Sequence, residues 1–377
     1  MSGWLGRWTA AMRGRRNRRP TILVVTSDLE IGGGQAFAVR IANALAREMR
    51  VLVMGVDPAK VDPTFASRVG PDAELIESSA DPTRIREIVS RERVTAVNSH
   101  LWWADKVVFE AIRGLDVRWL VSMHGCYDML IDQPHVEPRF RELASAVLER
   151  ANRVAIAAEK NRRVFEQYGL SQVRVERVPY GYEPMAPTRV ERPDADVVFG
   201  VVSRAVPNKG WHESVEAFTR VRAELAREGR RAALVLLGGG PLVDELRARR
   251  DVEGLVVPGW ADRPQDWIAG FDVGMLPSSF PGESLPNAII EYLAQSKPVI
   301  GTRWAEIPAM LGEGADAAGV LIPVRGDAAE VPALAEAMLA LARDEALRER
   351  ARRNAPLRFR AFSMPTCVEH YRRLLIG

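Results

Sequence analysis

"VPYGYEPMAPTRVERPDAD", residues 178–196, decides how the chain is divided. It is rich in proline and charge, and the part near 182–195 reads as a boundary between domains. The same pattern runs on both sides of it. Before it, "TILVVTS" (21–27), "VLVMGV" (51–56), "TAVNSH" (95–100), "RWLVSMHG" (118–125) and "RVAIAA" (153–158) read as strands. Between them lie helical stretches such as "QAFAVRIANALAREM", apolar at i, i+3, i+4 and i+7. After it the series restarts with "VVFGVVSR", "ALVLLGGG", "GLVVPGW", "DVGMLPSS", "PVIGT" and "GVLIP". Strands that are apolar on both faces and alternate with helices imply parallel pairing under two helical layers. The reading is α/β, with two doubly wound domains over 21–183 and 196–355. A basic extension (1–20) precedes them. A C-terminal helix (356–377), ending in "CVEHYRRLLIG", follows and can pack back on the first domain.

At 377 residues the chain is too long for one ordinary core. Hydrophobic residues make up 47% and charged residues 27%, which suits a soluble globular protein. No run approaches the about 18 apolar residues that a membrane span needs, and the start lacks a signal-peptide core. Two cysteines, Cys126 and Cys367, show neither metal-ligand spacing nor a disulfide framework, so a reducing cytoplasm is expected. Net charge is +3 but unevenly spread, since "MSGWLGRWTAAMRGRRNRRP" carries six arginines and no acid. On a helix Trp4, Leu5, Trp8 and Met12 share roughly one 100° stripe. That segment could lie on an anionic membrane surface, which would make the protein peripheral on the inner face. The bland alternative is a basic tail without structure. Nucleic acid is not an expected partner, because charge elsewhere is nearly balanced.

Parallel α/β domains hold ligands at the C-terminal ends of their strands, so the loops there carry the argument. "SDLEIGGGQAF" leads Gly33 and Gly34 into a helix start, where free N–H groups favour an anion. A plain tight turn would use the same glycines. "SHLWWADK" places His100, Trp102 and Trp103 where they could face an acceptor, although the tryptophans could equally pack in the core. "SMHGCYD" puts His124 at the next strand end. In "VVSRAVPNKGWHESVEAF", Arg204 and Lys209 flank a helix start and can hold a diphosphate, Arg as a planar fork and Lys as a point charge. "LLGGGPL" is a turn whose Gly239 backbone could meet a base or ribose.

"ESLPNAIIE" (283–291) sets two carboxylates around a helix start, an odd choice where an anion should bind. Ser284 reads as the N-cap, with Pro286 in the first turn. Carboxylates repel phosphate but accept hydroxyl hydrogens. The economical reading gives sugar hydroxyls to one acid and ribose hydroxyls to the other, with Arg204 and Lys209 on the phosphates between them.

These residues resemble the family-4 retaining glycosyltransferases of the GT-B fold, which carry an E-x7-E signature. "GGGQ", "SMHG", "VPYGYE", "SRAVPNKG", "LLGGGP", "VPGW", "LPSSFPGES" and "KPVIGT" follow in the family's order, from about Thr21 to the C-terminus. The resemblance implies two Rossmann-like domains facing across a cleft, a nucleotide-sugar donor, and a glycan, lipid-linked or small-molecule acceptor. It implies no metal or other cofactor, and a place in bacterial surface polysaccharide or glycolipid synthesis. It assigns Glu283 to the donor sugar, with the backbone of Ser284, Leu285 and Asn287 near sugar and phosphate, and Glu291 to the ribose. Arg204 and Lys209 become the diphosphate pair, Gly33 and Gly34 the loop beside the phosphates, and His124 the histidine at the donor sugar. The sequence departs from the family at Ser284-Leu285, where Gly-Phe is usual, and at Trp304, where a smaller residue is common. Both departures bear on donor choice. A sugar-nucleotide epimerase of the same architecture is the enzymatic alternative, and a non-catalytic carbohydrate-binding protein the non-enzymatic one. The "DAD" at 194–196 lies before a strand, not at its end, which argues against the metal-dependent transferase fold.

Overall fold

A run such as Thr21–Thr26, buried along its whole length, requires cover on both faces. The computed structural model describes residues 19–124, 127–132, 135 and 139–377. The amphipathic reading of the N-terminal extension falls on residues 1–18, outside that set, and so does Gly125 of "SMHG". Among the described residues no helix is long and apolar enough to cross a membrane.

The chain forms two compact units. One comprises residues 1–157, 161–178 and 367–377, and the other 158–160 and 179–366. The first unit contains β1 (Thr21–Thr26), β2 (Arg50–Gly55), β3 (Ala73–Leu75), β4 (Ala96–His100), β5 (Arg118–Met123), β6 (Arg153–Ile156) and β7 (Val175–Arg177). They form a sheet in the order β3-β2-β1-β4-β5-β6-β7, with every pairing parallel. The second contains β8 (Val197–Val202), β9 (Ala232–Leu237), β10 (Leu255–Gly259), β11 (Val273–Leu276), β12 (Val299–Thr302) and β13 (Gly319–Ile322). Their order is β10-β9-β8-β11-β12-β13, again parallel throughout. A small antiparallel pair, Val324–Arg325 with Ala328–Ala329, follows. Strand order therefore reverses between β1 and β4 in one unit and between β8 and β11 in the other. Those switch points are where open α/β sheets bind ligands.

The proline-rich stretch is not a free tether. Thr188 donates from its backbone N and from Oγ1 to the Asp266 carboxylate at 2.8 and 2.9 Å. Arg192 reaches the Gly270 carbonyl at 2.6 Å and Asp272 at 2.9 Å. The stretch from Pro179 on belongs to the second unit. Residues 367–377, which include all but the first turn of the helix Met364–Ile376, belong to the first unit. Tyr371 there shares a hydrogen bond with Ser122 at 3.0 Å, and Arg118 donates to the Leu375 carbonyl at 3.0 Å.

Candidate functional site

In the second unit the loops that follow β8 and β11 meet at the switch point. The loop after β8 is held by two left-handed residues, Asn208 (φ 64°) and Gly210 (φ 79°), on either side of Lys209. A Cβ at Gly210 would lie 2.3 Å from the Pro277 carbonyl, so only glycine fits there. The Asn208 carbonyl accepts from Ser279 N at 2.9 Å and from Ser278 Oγ at 3.2 Å, tying the two loops together. The Lys209 ammonium, buried in this frame, lies 2.5 Å from Glu283 Oε2. The same oxygen accepts from Ser278 Oγ at 2.8 Å. Glu283 Oε1 takes no hydrogen bond from the described residues, so one carboxylate oxygen remains for an incoming hydroxyl.

Sequence reasoning overlooked Phe280. Lys209 Nζ lies 4.7 Å from its ring centroid and the Arg204 guanidinium 5.2 Å. Each cation–π contact contributes about 0.5–2 kcal/mol, depending on desolvation. Arg204 is exposed and makes no ion pair among the described residues, so its charge is open to an anion. The "SSFPG" loop gave the only signal for this platform. Trp304 donates from Nε1 to the Phe280 carbonyl at 2.8 Å, which fixes the same loop from the far side.

Arg204, Lys209 and Glu283 thus come together around one ring. Glu291 is half-buried at the fifth position of the helix Asn287–Ala294, and Asn287, its first residue, is half-buried too. Ser284 is not the N-cap. Pro286 holds that position, and no side chain caps the helix, because the turn keeps Ser284 buried ahead of it. Ser284 Oγ is buried without a hydrogen-bond partner, and Leu285 is buried beside it. At "LLGGGPL" the steric need falls on Gly238 and Gly240, whose Cβ atoms would lie 1.8 and 2.5 Å from the Ser203 and Ala205 carbonyls. Gly239 would meet only Trp260, at 3.8 Å, so its surface is open. Trp260, 66% exposed at the end of β10, was also not singled out from the sequence.

In the first unit, Asn98 of β4 donates from Nδ2 to the Leu120 carbonyl (3.1 Å) and Ser122 Oγ (2.9 Å). Its Oδ1 must then accept, so His100 Nε2 carries the proton at 2.8 Å. His100 Nδ1 is left as an acceptor for His124 Nε2–H, 2.9 Å away. The His100 ring is therefore neutral. Burial favours the neutral form of both rings, holding His124 down at about 3 and His100 well below its ordinary range. The His124 ring stands edge-on to Phe37, 5.7 Å between centroids. A Cβ at Gly34 would meet Leu101 Cδ2 at 2.9 Å and His124 Cδ2 at 3.3 Å, so glycine is needed for that approach. Gly33 has open space around it.

Two acceptor-side expectations are corrected here. His100 is wholly buried with both ring nitrogens engaged, so it orients His124 and does not touch an acceptor. Trp102 is also wholly buried, its ring 4.6 Å from Phe140 and 6.3 Å from Tyr127, and belongs to the core. Trp103 is 40% exposed. Among the described residues no group of three or more His, Cys, Asp or Glu side chains is arranged to hold a metal ion.

Residues 31–185 match the family profile described as Glycosyltransferase Family 4, and residues 196–344 match Glycosyl transferases group 1. A comparison with curated protein sequences finds no match. Among solved structures, HepE of Anabaena in complex with UDP superposes with a TM-score of 0.75 at 16% identity, over 94% of this chain and 99% of that one. The same protein is also known with UDP-glucose. A glycosyltransferase from Rickettsia africae gives 0.73 at 15% identity, over 96% and 100%. The lipopolysaccharide outer core galactosyltransferase WaaB gives 0.68 at 12%, over 94% and 98%. At such identities the likeness bears on the fold.

Proposed function

The chain belongs to the family-4-type glycosyltransferases of the GT-B fold, and from that premise we propose that it is a retaining enzyme drawing on a nucleotide-sugar donor. The observation that carries this reading is the Lys209–Glu283 pair on the Phe280 ring, with Arg204 beside it, at the β8/β11 switch point. A diphosphate needs cations, and these two are aimed at one place. Each charge-assisted hydrogen bond contributes about 1.5–3 kcal/mol, against about 0.3–1 kcal/mol from a helix dipole. Side chains therefore decide affinity, and the start of Asn287–Ala294 sets orientation.

As the sugar–phosphate bond lengthens, negative charge grows on the diphosphate, and Arg204 and Lys209 offset it. Positive character on the sugar ring faces the Glu283 carboxylate, whose Oε1 can also hold a sugar hydroxyl. The cations do the work that a metal performs in other transferases, so no metal is required in this proposal. The resemblance assigns His124 to the donor sugar, and burial keeps its ring neutral. No carboxylate is proposed as a covalent nucleophile. The departing phosphate takes the acceptor's proton as the acceptor oxygen bonds to the anomeric carbon on the same face.

The acceptor in this reading is a glycan or lipid-linked sugar of surface polysaccharide or glycolipid synthesis. The basic amphipathic pattern of residues 1–20 supports a peripheral position on the inner face of the membrane. A thermal-shift panel of nucleotide sugars identifies the donor, because a ligand of the folded form raises stability with its affinity. Nucleotide release with and without acceptor, followed by NMR of the product's anomeric proton, then tests transfer and retention. Inverted product, or release of a free epimer without any acceptor, would overturn the proposal.

A further inference from the structure

In the second unit, the loops that carry Lys209 and Glu283 converge a second time, on a segment with no part in the donor site so far. It is the turn Gly326–Asp327 of the small antiparallel pair, exposed and entered through a left-handed Gly326 (φ 62°). The Asp327 carbonyl accepts from Asn208 Nδ2 at 2.7 Å and from Ser279 Oγ. One peptide oxygen, with both lone pairs engaged, thus fastens the loop after β8 and the loop after β11.

We propose that Asn208 is a positioning residue of the donor site. With Ser279 it clasps the Asp327 carbonyl, and so holds the Lys209 ammonium where a nucleoside diphosphate meets it. The inference rests on the nucleotide-sugar reading for its ligand. Three observations carry it. The first is the backbone. Asn208 takes φ 64° directly before Lys209, and a residue with a side chain keeps such a conformation only where its surroundings enforce it. Glycine would adopt it without strain, as Gly210 does at φ 79°, but glycine has no amide to give to Asp327. The second is that Asn208 is tied at both ends. Its own carbonyl accepts from Ser279 N at 2.9 Å, while its side chain goes to the turn. The third is a cavity of about 190 Å³ against the same loop, lined by Pro207, Asn208, Trp211, Asp327 and others. None of Arg204, Lys209, Phe280 and Glu283 lines it. Packing does not hold the loop on that side, so hydrogen bonds must. With the clasp cut the loop has room to shift, and the ammonium shifts with it.

A double-mutant cycle on the full chain tests this, with UDP, ADP and GDP as probes and calorimetry and melting as readouts. Lys209→Ala gives the reference loss for the nucleotide that binds best. Asn208→Gly keeps the backbone and removes the amide. It should weaken that nucleotide about two- to tenfold, as the competent fraction of the loop falls by the same factor. In the Lys209→Ala background Asn208→Gly should weaken it no further, because Asn208 acts through the ammonium. Ser279→Ala cuts the other arm of the clasp, should follow the same pattern, and carries the test if Asn208→Gly does not fold. A role in stability alone would lower Tm in both backgrounds and leave affinity unchanged. That result, or a loss that adds in full to that of Lys209→Ala, would overturn the clasp and leave the donor reading standing. A parent chain that ignores all three nucleotides, or a Lys209→Ala variant that binds them as well as the parent, would overturn both.

Discussion

Replacing Glu283 by glutamine separates the two roles of the pair it forms with Lys209. In the folded protein both side chains are nearly buried, at 9% and 8% exposure, and the carboxylate neutralises the ammonium. Glu283→Gln keeps the shape and the Ser278 contact but leaves a buried charge without its partner. Breaking such a pair costs about 3–5 kcal/mol. For a unit of about 150–250 residues, 1 kcal/mol moves Tm by about 2–4 °C, so the second unit should melt roughly 6–20 °C lower. A nucleoside diphosphate entering beside Lys209 restores negative charge. If it recovers only about 1.4 kcal/mol of the deficit, its affinity rises about tenfold. The variant should therefore bind UDP more tightly than the parent and show the larger UDP-induced rise in Tm. Turnover should still fall at least about tenfold, since the transition state loses its facing carboxylate. Calorimetry with UDP, melting with and without UDP, and a nucleotide-release assay together read the result. An unchanged Tm, or weaker UDP binding in the variant, would refute the reasoning, because Lys209 would then not be the anion's partner.

Lys209→Ala should weaken nucleoside diphosphate binding by about 1.5–3 kcal/mol, roughly 10- to 150-fold, and unchanged affinity in calorimetry would remove it from the phosphate site. Acidification from pH 7 to 5 should destabilise the first unit, because unfolded histidine takes a proton near 6.5 while native His124 stays neutral to about 3, a loss of about 1.4 kcal/mol per pH unit below 6.5. Asp105 opposes this, since burial raises its native carboxyl to about 7 and it gains a proton ahead of the unfolded chain; Asp105→Asn should steepen the acid loss in melting curves, and a parallel profile would contradict the offset. Deleting residues 1–19 should release the protein from anionic vesicles without lowering its Tm, and equal sedimentation of both forms would exclude that segment as the anchor.

Strands apolar on both faces were legible because a parallel sheet buries every position. The edge strands of the first unit's sheet were not. "AEL" at Ala73–Leu75 and "VER" at Val175–Arg177 are three residues long and partly exposed, too short for any period to show. The adjacent Trp102 and Trp103 could not be told apart without the helix phase, which the unusual backbone of Leu101 sets. Proline made the 178–196 stretch look like a tether, and only the fold reveals the Asp266 carboxylate that straps it down. Asn98 was a missed clue. Three polar residues in a row, Asn98, Ser99 and His100, in a strand that must be buried, have to bond to one another or to their neighbours. The grouping of Arg204, Lys209 and Glu283 followed from placing each at the end of a strand. The Phe280 ring beneath the cations did not, because nothing in a one-letter string gives the direction of an aromatic side chain.

The Tyr371–Ser122 bond and the Arg118 contacts bear on how the polypeptide matures during synthesis. The ribosome makes the first unit's seven strands, then the entire second unit, and only then the segment that closes over β5. Ser122 and Arg118 must wait for their partners through all of that elongation. The unit encoded second can finish first, and a translation arrest within it would leave the earlier sheet open to chaperones and proteases.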